Sequence, residues 1–71
     1  METYQPLYSS NIERADYDPD MGELTVEFKS GSSYVYRGVP RDTFLGLQNA
    51  KSAGEYFQRQ IKNRYPYELV G

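Results

Sequence analysis

A chain of 71 residues with a formal charge of −2 has room for one modest core, so residues 1–71 are expected to form a single domain. It contains no cysteine and no histidine, which removes disulfides, thiolate nucleophiles, Cys-based zinc sites and the commonest general base. No apolar stretch is long enough to span a bilayer, so the expectation is a soluble, cytoplasmic, non-catalytic protein without metal or cofactor.

In chain order, residues 1–10 contain Pro6 and read as an irregular lead-in, and residues 12–17 as a short strand of mixed pattern. Asp18-Pro19-Asp20-Met21-Gly22 is a turn, because proline presets φ, aspartate caps nearby N–H groups and glycine accepts a positive φ. Leu24, Val26 and Phe28 then alternate with Glu23, Thr25 and Glu27, the period of a strand with one buried face. Ser30-Gly31-Ser32-Ser33 turns the chain into a return strand, Tyr34-Val35-Tyr36-Arg37.

Beyond Gly38 the period becomes helical. Pro40 can occupy a first helical turn, Phe44 and Leu47 form a short apolar stripe, Gly46 weakens it, and residues 49–51 end it. Ser52-Ala53-Gly54-Glu55 is a capping box that starts a second helix, with Phe57 and Ile61 facing inward. Pro66 pushes Tyr65 out of the α region, so this helix should end near Arg64 and leave Tyr65-Pro66-Tyr67 as an extended tail. The expected fold class is α+β: a three-stranded antiparallel β-meander followed by two short helices packed on one face.

Charge is unevenly distributed. Residues 1–40 hold seven acids and three bases, a net of −4, whereas residues 41–65 hold five bases and two acids, a net of +3; Glu68 restores −2. A protein that tracks a long phosphate backbone is usually basic overall, but a short anionic ligand needs only two or three local cations. Arg59, Lys62 and Arg64, with Tyr56 and Tyr65 beside them, are the candidates; a solvated helix face would look the same.

Other motifs carry less. Asp16, Asp18, Asp20 and Glu27 match much of a calcium loop, but Met21 stands where glycine is required and Glu27 lies in a strand. Glu23 and Glu27 sit roughly 13 Å apart along one strand, too far for a carboxylate pair acting on one bond. Tyr34 and Tyr36 share one sheet face. If Val35 joins the core they are free to stack on bases; otherwise they pack beneath the helices.

Taken together, Ser9-Ser10-Asn11-Ile12, Tyr17-Asp18, residues 24–28, Gly31, Tyr34-Val35-Tyr36, Val39-Pro40, Ser52-Ala53-Gly54, Tyr56-Phe57, Ile61 and Tyr65-Pro66 resemble the KTSC domain family. Gln58 stands where asparagine is common. The resemblance implies a non-catalytic module, found at the C-terminus of some lysyl-tRNA synthetases and free-standing in bacteria and phages, with a role in RNA or nucleotide binding. On that basis the expected function is nucleotide binding. In a phage setting it would be a sponge sequestering a signalling cyclic dinucleotide to block antiphage defence. Tyr34, Tyr36 and Tyr56 would meet bases, Arg59, Lys62 and Arg64 phosphates, and Ser9, Ser10 and Ser52 would donate hydrogen bonds. A homodimer or larger homo-oligomer with the site at its interface is expected, since a small domain encloses a ligand poorly alone. Single-stranded RNA binding through the same tyrosines and a protein-interaction adaptor are the alternatives.

Overall fold

The alternation in residues 23–28 does place Leu24, Val26 and Phe28 on one face, and the neighbouring strands align to it. The computed structural model describes residues 1–7, 9 and 11–71; Tyr8 and Ser10, the latter an expected ligand contact, lie outside the described residues. The chain runs β1 (Glu2–Tyr4), β2 (Ile12–Asp18), β3 (Glu23–Phe28), β4 (Ser33–Tyr36), α1 (Arg41–Asn49), α2 (Ala53–Gln60) and β5 (Tyr67–Leu69). All five strands form one sheet in sequence order, each antiparallel to the next.

The α+β class and the central meander are as expected, but the sheet has five strands and not three. The lead-in supplies β1, which pairs Thr3 with Asp16 and Tyr4 with Ala15. The tail supplies β5, which pairs Tyr36 with Tyr67 and Tyr34 with Leu69. Three residues are too few to display a period, and both strands form because β2 and β4 leave edge N–H and C=O groups to be paired. The chirality of the β2–β3 turn rests on Gly22, whose φ of +66° disfavours a side chain. Its N–H bonds to Asp18 O at 2.8 Å, and Asp18 Oδ1 accepts from the Asp20 and Met21 amides at 3.0 and 3.3 Å. Of the acids that mimic a calcium loop, Asp18 is thus held by the turn and Asp16 by Thr3 at 2.7 Å and Arg14 at 3.2 Å.

One face of the sheet carries both helices. Ile12, Ala15, Tyr17, Leu24, Val26 and Tyr36 pack there against Val39, Phe44, Leu47, Ala53, Phe57 and Ile61. Tyr17 stacks on Phe44 with centroids 5.0 Å apart and donates its hydroxyl to Val39 O at 2.6 Å. Pro40 is the N-cap of α1, one residue before the expected first-turn position. Ser52 caps α2 by accepting from the Glu55 amide at 3.2 Å, the first half of the expected box.

The second helix stops at Gln60, short of the expected Arg64. At Ile61 the backbone leaves the helical region, and the Lys62 N–H reaches back five residues to Phe57 O at 2.9 Å, a wide closing turn. That turn keeps Ile61 in the core and frees residues 62–65 to climb toward β5. Among the described residues, no helix is long and apolar enough to cross a membrane.

Candidate functional site

Strand register sorts the charges onto opposite sides of the molecule. On the sheet face away from the helices stand Asp16, Asp18, Glu23, Glu27 and Glu68, with Arg14 and Arg37 the two cations among them. Arg37 bridges Glu23 at 3.4 Å and Glu68 at 3.0 Å, and these carboxylates raise its pKa. Lys51, Arg59, Lys62 and Arg64 all lie on the helical side, and none is ion-paired among the described residues. An anion therefore meets the molecule favourably on one side only.

On that side, at the border between α2 and the last two strands, five rings close into a circuit. Phe28 meets Tyr34 at 6.0 Å, Tyr34 meets Tyr67 at 5.7 Å, Tyr67 meets Tyr36 at 5.7 Å, Tyr36 meets Phe57 at 5.4 Å, and Phe57 returns to Phe28 at 5.3 Å. Four of the contacts are edge-on, the arrangement ring quadrupoles favour. Phe57 and Tyr36 are the buried floor, while Tyr67 is 60% exposed at the rim. Above the rings lies a cleft of about 240 Å³, walled by Gln58, Lys62 and Asn63 from the end of α2 and the turn after it.

The cleft joins three kinds of group: ring faces, two neutral amides, and an unpaired ammonium. Burial, with Tyr34 and Tyr67 nearby, pushes the Tyr36 hydroxyl up to about 12, so it remains a donor at physiological pH. The eight lining residues include no carboxylate.

The expected site residues do not all converge. Tyr34, Tyr36 and Lys62 share the cleft. Tyr34 and Tyr36 both face the helices, Tyr34 packed against the core and Tyr36 only 4% exposed, so the open-face stacking expected of the pair is corrected: Val35 points to the other side, and Tyr36 lies under Phe57. Ser52, Tyr56 and Arg59 line a separate groove with Lys51, Glu55 and Gln60. Tyr56 turns inward over α1, where burial raises its pKa. Ser9 faces neither place: its hydroxyl oxygen accepts from the Asn11 and Ile12 amides at 3.3 and 2.9 Å, holding the entry to β2. Arg64 is exposed in the turn after α2 and lines neither cavity.

The residues missed are Phe28, Phe57, Gln58, Asn63 and Tyr67. Phe28 and Phe57 were legible as core, and only β5 pairing brings Tyr67 beside Tyr36.

Comparison with known proteins gives this geometry relatives. The KTSC domain model matches residues 8–65. A lysine–tRNA ligase from Nostoc sp. (strain PCC 7120) is 44% identical over 61 residues, which are 86% of this chain and 11% of that protein. The chain thus spans about a tenth of that relative's length. A protein of Tsukamurella paurometabola is 39% identical over 61 residues, covering 86% of this chain and 91% of its own length. The crystal structure of a KTSC domain protein from Yersinia pestis superposes with a TM-score of 0.86 at 33% identity, covering 99% of this chain and 100% of that one.

Proposed function

The chain belongs to the KTSC domain family, and from that premise we propose that it holds a nucleotide without reacting it, in the cleft between α2 and strands β4 and β5. The observation that supports this is the closed circuit of five rings beneath an unpaired Lys62. A nucleobase stacks on the exposed ring surface, each such stack being worth about 1–3 kcal/mol. Gln58 and Asn63 offer both donors and acceptors to the base edge, and Lys62 meets the phosphate as a point charge. The cleft wall carries no carboxylate, which fits a site that binds the ligand and releases it unchanged. Binding without turnover suits sequestration of a signalling nucleotide, a cyclic dinucleotide included.

A second reading is favoured by one observation. Three relatives are lysine–tRNA ligases in which the matched region makes up 11% of the length, so a related module accompanies an enzyme named for tRNA. On this reading the same rings hold unpaired bases of RNA. The acidic opposite face limits how long a strand can be tracked.

Calorimetric titration with mononucleotides, cyclic dinucleotides and a short single-stranded RNA, at two salt concentrations, separates the readings. Saturable small-nucleotide binding of fixed stoichiometry and shallow salt dependence, with ligand recovered intact, is expected. Affinity that grows with strand length and falls steeply with salt would move the assignment to RNA. No heat from any nucleotide at high protein concentration would overturn both, and favour an adaptor that binds protein.

A further inference from the structure

The two edges of the sheet are finished differently. At β1, Glu2 is held by Arg41 at 2.9 Å and the Thr3 hydroxyl is engaged by Asp16 at 2.7 Å. Charge on a short edge strand discourages a further strand. At the opposite edge, Tyr67 and Leu69 of β5 and the following Val70 are exposed at 60%, 60% and 54%. The charge of β5, Glu68, is drawn toward the sheet by Arg37 at 3.0 Å.

The backbone of β5 points the same way. The Val70 N–H donates to Ser33 O at 2.9 Å, and the Pro66 carbonyl accepts from the Arg37 N–H at 3.0 Å, so along β5 itself the even-numbered positions bond to β4; past it the alternation breaks, because the Ser33 N–H bonds to Gly71 O at 2.9 Å. Alternation then directs the N–H and C=O of Tyr67 and Leu69 outward from the sheet. An apolar edge strand with outward backbone groups is a template for another strand.

We propose that this other strand is β5 of a second copy of the chain, paired antiparallel about a two-fold axis at Leu69. Isologous pairing requires only that the strand be compatible with itself, and register decides this. Centring on Glu68 would set two carboxylates directly opposite one another, which is unfavourable. Centring on Tyr67 would run the pairing past Pro66, which has no N–H, to Tyr65, whose hydroxyl is tied to Thr43 at 3.2 Å. Centring on Leu69 opposes it to the partner's Leu69 and puts Glu68 opposite the partner's Val70. The axis is normal to the sheet, so both helical layers stay on one side of a continuous ten-stranded sheet, twice the five of one copy. The partner's Leu69 then lies diagonally across from Tyr67 and closes the outer flank of the aromatic cleft.

A three-residue edge buries less than the roughly 1,200–2,000 Å² of a stable interface, so monomer and dimer exchange with concentration. A ligand that touches both copies tightens the pair by mass action; this last step alone rests on the nucleotide reading above.

The cysteine-free sequence gives a direct test. Opposed residues in such a pair have Cα atoms about 5.5 Å apart, within the span a disulfide bridges. Leu69→Cys is expected to oxidise to a covalent dimer, while Thr3→Cys on the other edge stays monomeric. In sedimentation from about 10 µM to about 1 mM, the unaltered protein should shift toward dimer and Leu69→Lys should not, with circular dichroism unchanged. An unaltered protein that is monomeric throughout, with Leu69→Cys linking no faster than Thr3→Cys, would overturn the proposal. Cross-linking without nucleotide binding keeps the dimer and removes the nucleotide reading. Nucleotide binding by a strict monomer does the reverse.

Discussion

Gly46 in α1 and Tyr56 in α2 occupy one another's space: a Cβ built on Gly46 would collide with the Tyr56 hydroxyl and stand 2.6 Å from its Cζ. The glycine that weakens α1 as a helix is what lets α2 lay a tyrosine across it. Alanine ordinarily stabilises a helix interior over glycine by about 1 kcal/mol. Overpacking here costs about 1–3 kcal/mol, so Gly46→Ala is expected to give a net loss of up to about 2 kcal/mol in urea unfolding. In a Tyr56→Ala background the same change should become stabilising. Additive effects in the two backgrounds would mean that the rings do not compete with position 46.

A second constraint ties the sheet to the loop before α1. The Tyr17 hydroxyl donates to Val39 O at 2.6 Å inside the core, and burial raises its pKa. Tyr17→Phe keeps the stack on Phe44 but leaves a buried carbonyl without its donor, at a cost of about 1–3 kcal/mol. The lower urea midpoint should come without a change in the m-value, because no extra surface is exposed.

These two contacts also mark the limit of what could be read from the sequence. The strict alternation at Leu24, Val26 and Phe28, the Asp18–Gly22 turn and the Ser52 cap are local signals, and each appears where local chemistry puts it. The two outer strands are three residues each and owe their existence to neighbours far along the chain. The Tyr34–Tyr36 alternation was legible, but its direction was not: it depended on whether Val35 or the tyrosines faced the helices. Lys62, Arg59 and Arg64 look equivalent as a basic run. The wide turn after Gln60 brings Lys62 to the cleft over the rings, whereas Arg59, still within α2, lines another groove and Arg64 lines neither.

Alkaline pH should unfold the protein earlier than charge repulsion alone would. In the folded state the Tyr36 pKa is about 12, raised by burial first and then by Tyr34 and Tyr67, against 10.0 when unfolded. The folded form therefore keeps a proton that the unfolded form loses, so the stabilising contribution is complete below pH 10 and declines as pH rises toward 12. The loss at Tyr36 is on the order of 2 kcal/mol, and Tyr17 and Tyr56, also raised by burial, add in the same direction. Urea midpoints measured from pH 8 upward should be flat and then fall, and Tyr36→Phe should fall less steeply. Parallel curves for the two proteins would show that Tyr36 does not carry the effect.

The cations distinguish the cleft from an undirected basic surface. Lys62 lines it, whereas Arg59 lines the groove beside Ser52 and Arg64 lines neither. Lys62→Ala is therefore expected to weaken nucleotide binding about tenfold, equivalent to about 1.4 kcal/mol, with Lys62→Arg recovering much of it. Tyr67→Ala removes the most exposed ring of the circuit and should cost about 5- to 150-fold, the range for one lost stack. Arg59→Ala and Arg64→Ala remove the same unit of charge as Lys62→Ala, so general electrostatic attraction predicts equal losses for all three. Contact in the cleft predicts a loss at Lys62 that persists at high salt, and small losses at the arginines that salt erases. Equal, salt-erased losses at the three positions would remove the cleft as the site. A loss confined to Arg59 would move the site to the groove that holds Ser52 and Tyr56.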